Sequence, residues 1–160
     1  MERLRILWRF LYKMLKGIEN SATFRAQCKV ALFGILRKDN IAVAKGNAFN
    51  PNRHLCRKDF SFVPAEMEGR QVEVLKVSVR QSKGIQFDNR CHELLYVPTG
   101  NDLCTVAAVK ECFALTPQAD ELAPSFVWKS ARGWAPATHA QFVAAVKAGV
   151  STLGLDPSKY

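Results

Sequence analysis

The sequence predicts an α+β fold, mainly α, in which helices surround one small antiparallel β-sheet, and three observations predict it. Apolar residues recur at helical spacing over residues 3–16 and again through 21–36. Residues 72–97 read as two strands joined by a turn-rich connection, and two further helical stretches follow. Of the 160 residues 48% are hydrophobic and 23% charged, the balance of a chain that buries a core, which excludes collagen-like, mucin-like and linker classes. The length suits about one domain.

Taken in order, Leu4, Leu7, Trp8, Leu11, Met14 and Leu15 share one face of a leading helix over residues 1–19, with Arg3, Arg5, Arg9, Lys13 and Lys16 among the other positions and Gly17 as its stop. Such a helix packs on its own domain with its cations in water, or it lies on a membrane or in a partner's groove. A second helix spans 21–36, and its last stretch, Val30 to Leu36, is apolar on every side, so burial all round is expected. Asn40, Gly46, Asn47, Asn50, Pro51 and Asn52 mark a long loop. Leu75, Val77 and Val79 alternate along a strand over 72–79, and 91–97 forms its partner, giving a hairpin with an extended tip. A helix over about 103–115 ends at Thr116-Pro117, and Thr138 with Gln141 has the capping-box spacing that opens another helix, its inward side Phe142, Val143, Val146 and Val150.

Charge is distributed unevenly. Residues 1–58 carry 13 Lys and Arg against 3 acids, a net +10, whereas residues 59–160 carry 10 against 11, so the +9 of the chain is entirely N-terminal. A polyanion facing that half, nucleic acid first and an acidic membrane second, competes with a merely solvated basic face. The five cysteines show no Cys-x-x-Cys spacing, and Glu2, Arg3, Arg5 and Arg9 interrupt the apolar segment a signal peptide needs, so reduced thiols and an intracellular location are expected, nuclear if the source is eukaryotic. His54, Cys56, Cys91 and His92 match no zinc module, so neither metal nor cofactor is expected. The longest apolar run stops at Arg37, too short to span a membrane, and a soluble chain is expected.

Two residues have the chemistry to meet phosphate. Arg37 follows the apolar helix, where it either satisfies carbonyls at the helix end together with Lys38 or offers a planar fork to two oxygens of one phosphate. Lys83, between Ser82 and Gly84 at the hairpin shoulder, is either an ordinary turn lysine or a cation carried into a nucleic-acid groove.

In combination, Phe33-Gly34-Ile35-Leu36-Arg37-Lys38-Asp39-Asn40-Ile41, then Gln81-Ser82-Lys83-Gly84-Ile85-Gln86-Phe87, then Leu103-Cys104-Thr105-Val106-Ala107-Ala108 and finally Gly154-Leu155-Asp156-Pro157-Ser158-Lys159-Tyr160 resemble, in order and spacing, the tyrosine recombinase (phage integrase) catalytic domain of eukaryotic mobile elements over residues 20–160. The resemblance implies that Arg37 matches the first active-site arginine and Lys83 the lysine of the β-hairpin, with Lys38 and Arg80 as further DNA contacts. It implies a metal-free phosphoryl transfer in DNA recombination and integration. A tyrosine attacks a DNA phosphate, arginines stabilise its non-bridging oxygens, and the lysine protonates the leaving 5′-oxygen. Double-stranded DNA would be the partner, with assembly into a homo-oligomer on DNA and no membrane.

Two departures accompany the resemblance. The acid that supports the first arginine three positions on is replaced by Asn40, with Asp39 one residue earlier. The family's His-x-x-Arg box and nucleophilic tyrosine lie beyond the stretch matching Gly154 to Tyr160, and the context of Tyr160 is that of the preceding segment. The expectation is a partial recombinase-like domain over 20–160, truncated before those groups and inactive in strand cleavage alone, with some apolar surface uncovered and marginal stability or association as the result. The alternative is a non-catalytic DNA-binding or interaction module that uses the basic N-terminal half.

Overall fold

A computed structural model describes residues 21–80, 91–117 and 120–159. The expected leading helix over 1–19, the hairpin tip with Lys83, and Tyr160 lie outside the described residues. The architecture is mixed α and β with small antiparallel sheets, compatible with the α+β expectation. Four α-helices are described: α1 (Ala22–Phe33), α2 (Lys38–Ile41), α3 (Thr105–Leu115) and α4 (His139–Thr152). Five strands are described: β1 (Phe60–Met67), β2 (Arg70–Val79), β3 (His92–Tyr96), β4 (Val127–Ser130) and β5 (Gly133–Pro136).

Where one sheet is expected, two are present among the described residues. The first has the order β1-β2-β3, all antiparallel, with Phe60 opposite Val77 and Leu75 opposite Tyr96; the second is the β4–β5 hairpin. Strand β1 escapes sequence reading because Pro64 interrupts it, which is tolerable only because β1 is an edge strand. Its link to β2 is the two-residue turn Glu68-Gly69, both at positive φ (50° and 73°), the geometry that matches the twist of a tight hairpin.

The alternation of Leu75, Val77 and Val79 sends all three into the core, where they meet Val30 of α1 and Val109 and Cys112 of α3. Burying each such aliphatic side chain contributes roughly 1.5–3 kcal/mol. Both expected hairpin strands are found, β2 beginning two residues earlier than read. The helix expected over 21–36 ends sooner, at Phe33, and its apolar tail is not buried all round, since Ile35 is 92% exposed. On α4 the capping box is in place, Thr138 N–H donating to Gln141 Oε1 at 2.9 Å, but Val143 is exposed where an inward position was expected. Phe142 and Val146 face inward as expected and pack on Phe24 and Cys28, and Val150 is buried.

The long stretch from Ala42 to Cys56 is sewn to the C-terminal part of the chain. Val43 N–H donates to Ala137 O and His139 N–H to Val43 O, while Ser125 N–H donates to Leu55 O. These bonds hold the segment after Arg37 against the entry to α4. No helix among the described residues is long and apolar enough to cross a membrane.

Candidate nucleic-acid interface

Helix α1 ends in a Schellman turn. Leu36 N–H donates to Ala31 O at 2.8 Å and Ile35 N–H to Leu32 O at 3.4 Å, with Ile35 in the left-handed region at φ 52°. Glycine is the usual residue at that point, yet Gly34 stands one position earlier for a different reason. A Cβ there would collide with the hydroxyl of Tyr96 and lie 2.8 Å from Val30 O, the pair joined by Tyr96 Oη–H donating to Val30 O at 2.8 Å. Gly34 thus permits a close approach, and Ile35 takes the strained dihedrals.

The reversal returns Leu36 to the core and sends Arg37 outward. Arg37 N–H donates to Asn40 Oδ1 at 3.2 Å and Asn40 N–H donates to Arg37 O at 2.9 Å, so a one-turn helix fixes the arginine backbone from both sides. Its side chain is exposed and makes no ion pair among the described residues; Lys38 beside it is exposed too. Of the two readings of Arg37, capping of the preceding helix is not what the backbone needs, because the Schellman bonds already serve those carbonyls.

Asp39 does not brace Arg37. Its Oδ1 lies 3.1 Å from Nε2 of His139, and the same nitrogen is 3.0 Å from Ala42 O. Further along, His54 stacks on Phe49 with centroids 5.7 Å apart, and His54 Nδ1 accepts from Asn50 N–H at 2.9 Å. Burial, the largest influence on this imidazole, lowers its pKa, which keeps it neutral near pH 7. Behind it a cavity of about 10 Å³ lined by Asn40, His54 and Ser125 has room for one water and not for a ligand.

Arg80 is turned inward. Its Nη2 donates to Asp59 Oδ2 at 2.6 Å and lies 3.5 Å from Cys56 Sγ, while the same carboxylate oxygen accepts from Cys56 N–H at 2.7 Å. Asp59 is 6% exposed, so the pair pins the end of β2 to the short 3₁₀ turn Arg57–Asp59. Lys83, three residues on, lies outside the described residues, so the structure sets no distance between it and Arg37. The one His-x-x-Arg spacing in the sequence, His54 to Arg57, falls before the hairpin, and Arg57 is 3% exposed, its guanidinium 3.8 Å from the Phe113 ring centroid and donating to Thr116 Oγ1.

What is assembled is a run of exposed cations, Arg37, Lys38, Lys45 and Arg53, on one segment whose single acid, Asp39, is taken up by His139. Such a set can hold phosphate oxygens. The Asp39–His139 and Asp59–Arg80 pairs are what sequence reading missed. The capping box announced where α4 begins, but His139 and Ala42 are 97 residues apart, and nothing local signals their meeting. Comparison with protein-family models, with curated proteins and with solved structures found no match.

Proposed function

We propose that the chain is a DNA-directed module of tyrosine-recombinase type, in which Arg37 holds a backbone phosphate, Lys83 is the second matching catalytic group, and Lys38 adds a contact. The observation that carries the reading is Arg37 itself. Its backbone is held on both sides, its fork is exposed, and the neighbouring carboxylate is engaged elsewhere. Because Asp39 gives the arginine no support, strand cleavage by these residues alone is not expected, and binding is the activity proposed. Arg80 supports the hairpin base through Asp59 and contributes to DNA contact only indirectly.

The test is duplex binding by fluorescence anisotropy over a range of salt. Affinity should fall steeply as salt rises, by about 0.9 in log K per log salt for each phosphate neutralised. Arg37→Ala should weaken binding severalfold and reduce that slope by about one, and Arg37→Lys should keep the charge yet lose the fork, leaving weakened binding. Equal affinities for all three proteins would remove Arg37 from the interface. The disposition of Asp39 favours a second reading, a DNA-binding module with no catalytic role. Neither reading expects strand cleavage, so a covalent protein–DNA adduct resistant to denaturant on a nicked duplex would overturn both.

A further inference from the structure

A cavity lies away from Arg37, between the start of α1, the end of α3 and the β4–β5 hairpin. It encloses about 320 Å³, within the range of small-ligand pockets. Trp128 is a fixed wall. Its Nε1–H donates to Gln27 Oε1 at 3.2 Å, and its ring meets Phe24 edge-on at 6.3 Å. Trp134, 44% exposed, stands opposite Lys129 on the β-ladder, so an indole and an ammonium share one face at the mouth.

Two of the three hydroxyl groups in the lining have their protons committed, while Ser21 Oγ accepts from Phe24 N–H. Thr23 Oγ1 donates to Val127 O at 2.8 Å and Thr116 Oγ1 to Cys112 O at 2.6 Å. No acid lines the cavity, and Lys129 makes no ion pair among the described residues, which leaves its ammonium as the charged donor on offer. An exposed indole and a cation on one face, with no carboxylate in the lining, suit a flat, anionic molecule whose phosphate complements the Lys129 ammonium. We infer that this cavity takes one unpaired nucleotide of a single-stranded nucleic acid, the base against Trp134 and the phosphate on Lys129. Stacking of this kind accepts any base, because every base has a π-face.

The inference goes beyond the recombinase reading and stands without it, since a duplex offers no free base face. It is tested on the full chain with fluorescein-labelled oligothymidine of about fifteen nucleotides and with a duplex of the same length. Trp134→Ala should weaken the single strand roughly five- to a hundredfold and leave the duplex within about twofold. Trp134→Phe should restore most of the loss, and Lys129→Ala should reduce the single-strand salt slope by about 0.7. If Trp134→Ala does not fold, Trp134→Phe and Lys129→Ala carry the comparison. Absence of single-strand binding, an equal loss on both probes, or an unchanged salt slope in Lys129→Ala overturns the inference. Loss of duplex binding in Arg37→Ala with single-strand binding intact tells the two sites apart.

Discussion

Gly34 and Ile35 divide between them what one residue usually does at a helix end, and each makes a prediction at the scale of a single side chain. Gly34 has ordinary right-handed dihedrals, so its need is for space: a methyl group would displace the Tyr96 hydroxyl from Val30 O. Gly34→Ala should therefore cost about 2–3 kcal/mol, the sum of overpacking and a buried hydrogen bond lost. Ile35 presents the opposite case. A β-branched residue held at φ 52° carries roughly 1–2 kcal/mol of strain, and with the side chain 92% exposed there is almost no packing to lose. Glycine gives back about 0.5–1 kcal/mol through the entropy of the unfolded chain. Ile35→Gly should then stabilise by up to about 1 kcal/mol, read as a higher urea midpoint at unchanged slope. A lower midpoint would show that the turn carries no strain. Because the same turn aims Arg37, Gly34→Ala should also weaken duplex binding, whereas Ile35→Gly should not.

At the level of elements, what the sequence discloses is periodicity and punctuation. The alternation of Leu75, Val77 and Val79 named a strand, Thr138 and Gln141 named the start of α4, and Thr116-Pro117 named the end of α3; each rests on neighbours in sequence. The apolar run continues through Ile35 and Leu36 and hides the end of α1; the Schellman bonds that stop it are local, but the close approach of Tyr96, on a distant strand, that requires Gly34 is not. Strand β1 and the β4–β5 hairpin escape sequence reading for a different reason: both pair locally across two-residue turns, but Pro64 interrupts β1, and β4 and β5 are four residues each, too short to show an alternation. Of the candidate site, the exposure of Arg37 and Lys38 was legible, but the inward turn of Arg80 was not, because Asp59 reaches it from another element. That pair is testable. Asp59→Ala removes a buried acceptor shared by Arg80 and the Cys56 N–H, and should destabilise by about 3 kcal/mol. If Arg80 touches DNA only through the hairpin it supports, Asp59→Ala should lower affinity as well. A gain in affinity would mean that the freed guanidinium binds phosphate directly.

For the molecule as a whole, two effects of pH oppose each other, and their sizes decide which wins. Raising the pH lowers the net charge of +9 and relieves repulsion among surface cations, but such repulsion is screened beyond about 8 Å at physiological salt. The core responds the other way. Cys28 sits against Phe24 and beside Phe142, and burial pushes its thiol from 9.0 up to about 12; burial also raises Cys112 and Tyr96. Below pH 9 the folded and unfolded chains both keep the Cys28 proton, and the group leaves stability unchanged. Between pH 9 and about 12 the unfolded chain releases it while the folded chain does not, so stability falls by about 1.4 kcal/mol per pH unit, on the order of 4 kcal/mol over the whole window. The buried groups therefore outweigh the surface, and the protein should unfold in alkali even as its net charge diminishes. Cys28→Ala isolates the effect. It should cost about 1 kcal/mol near pH 7 through the lost sulfur, yet its stability should decline less steeply above pH 9, so that the two urea midpoints converge by pH 10 and cross by pH 11. Parallel midpoints from pH 8 to pH 11 would show that the Cys28 thiol ionises as freely in the folded protein as in the unfolded chain.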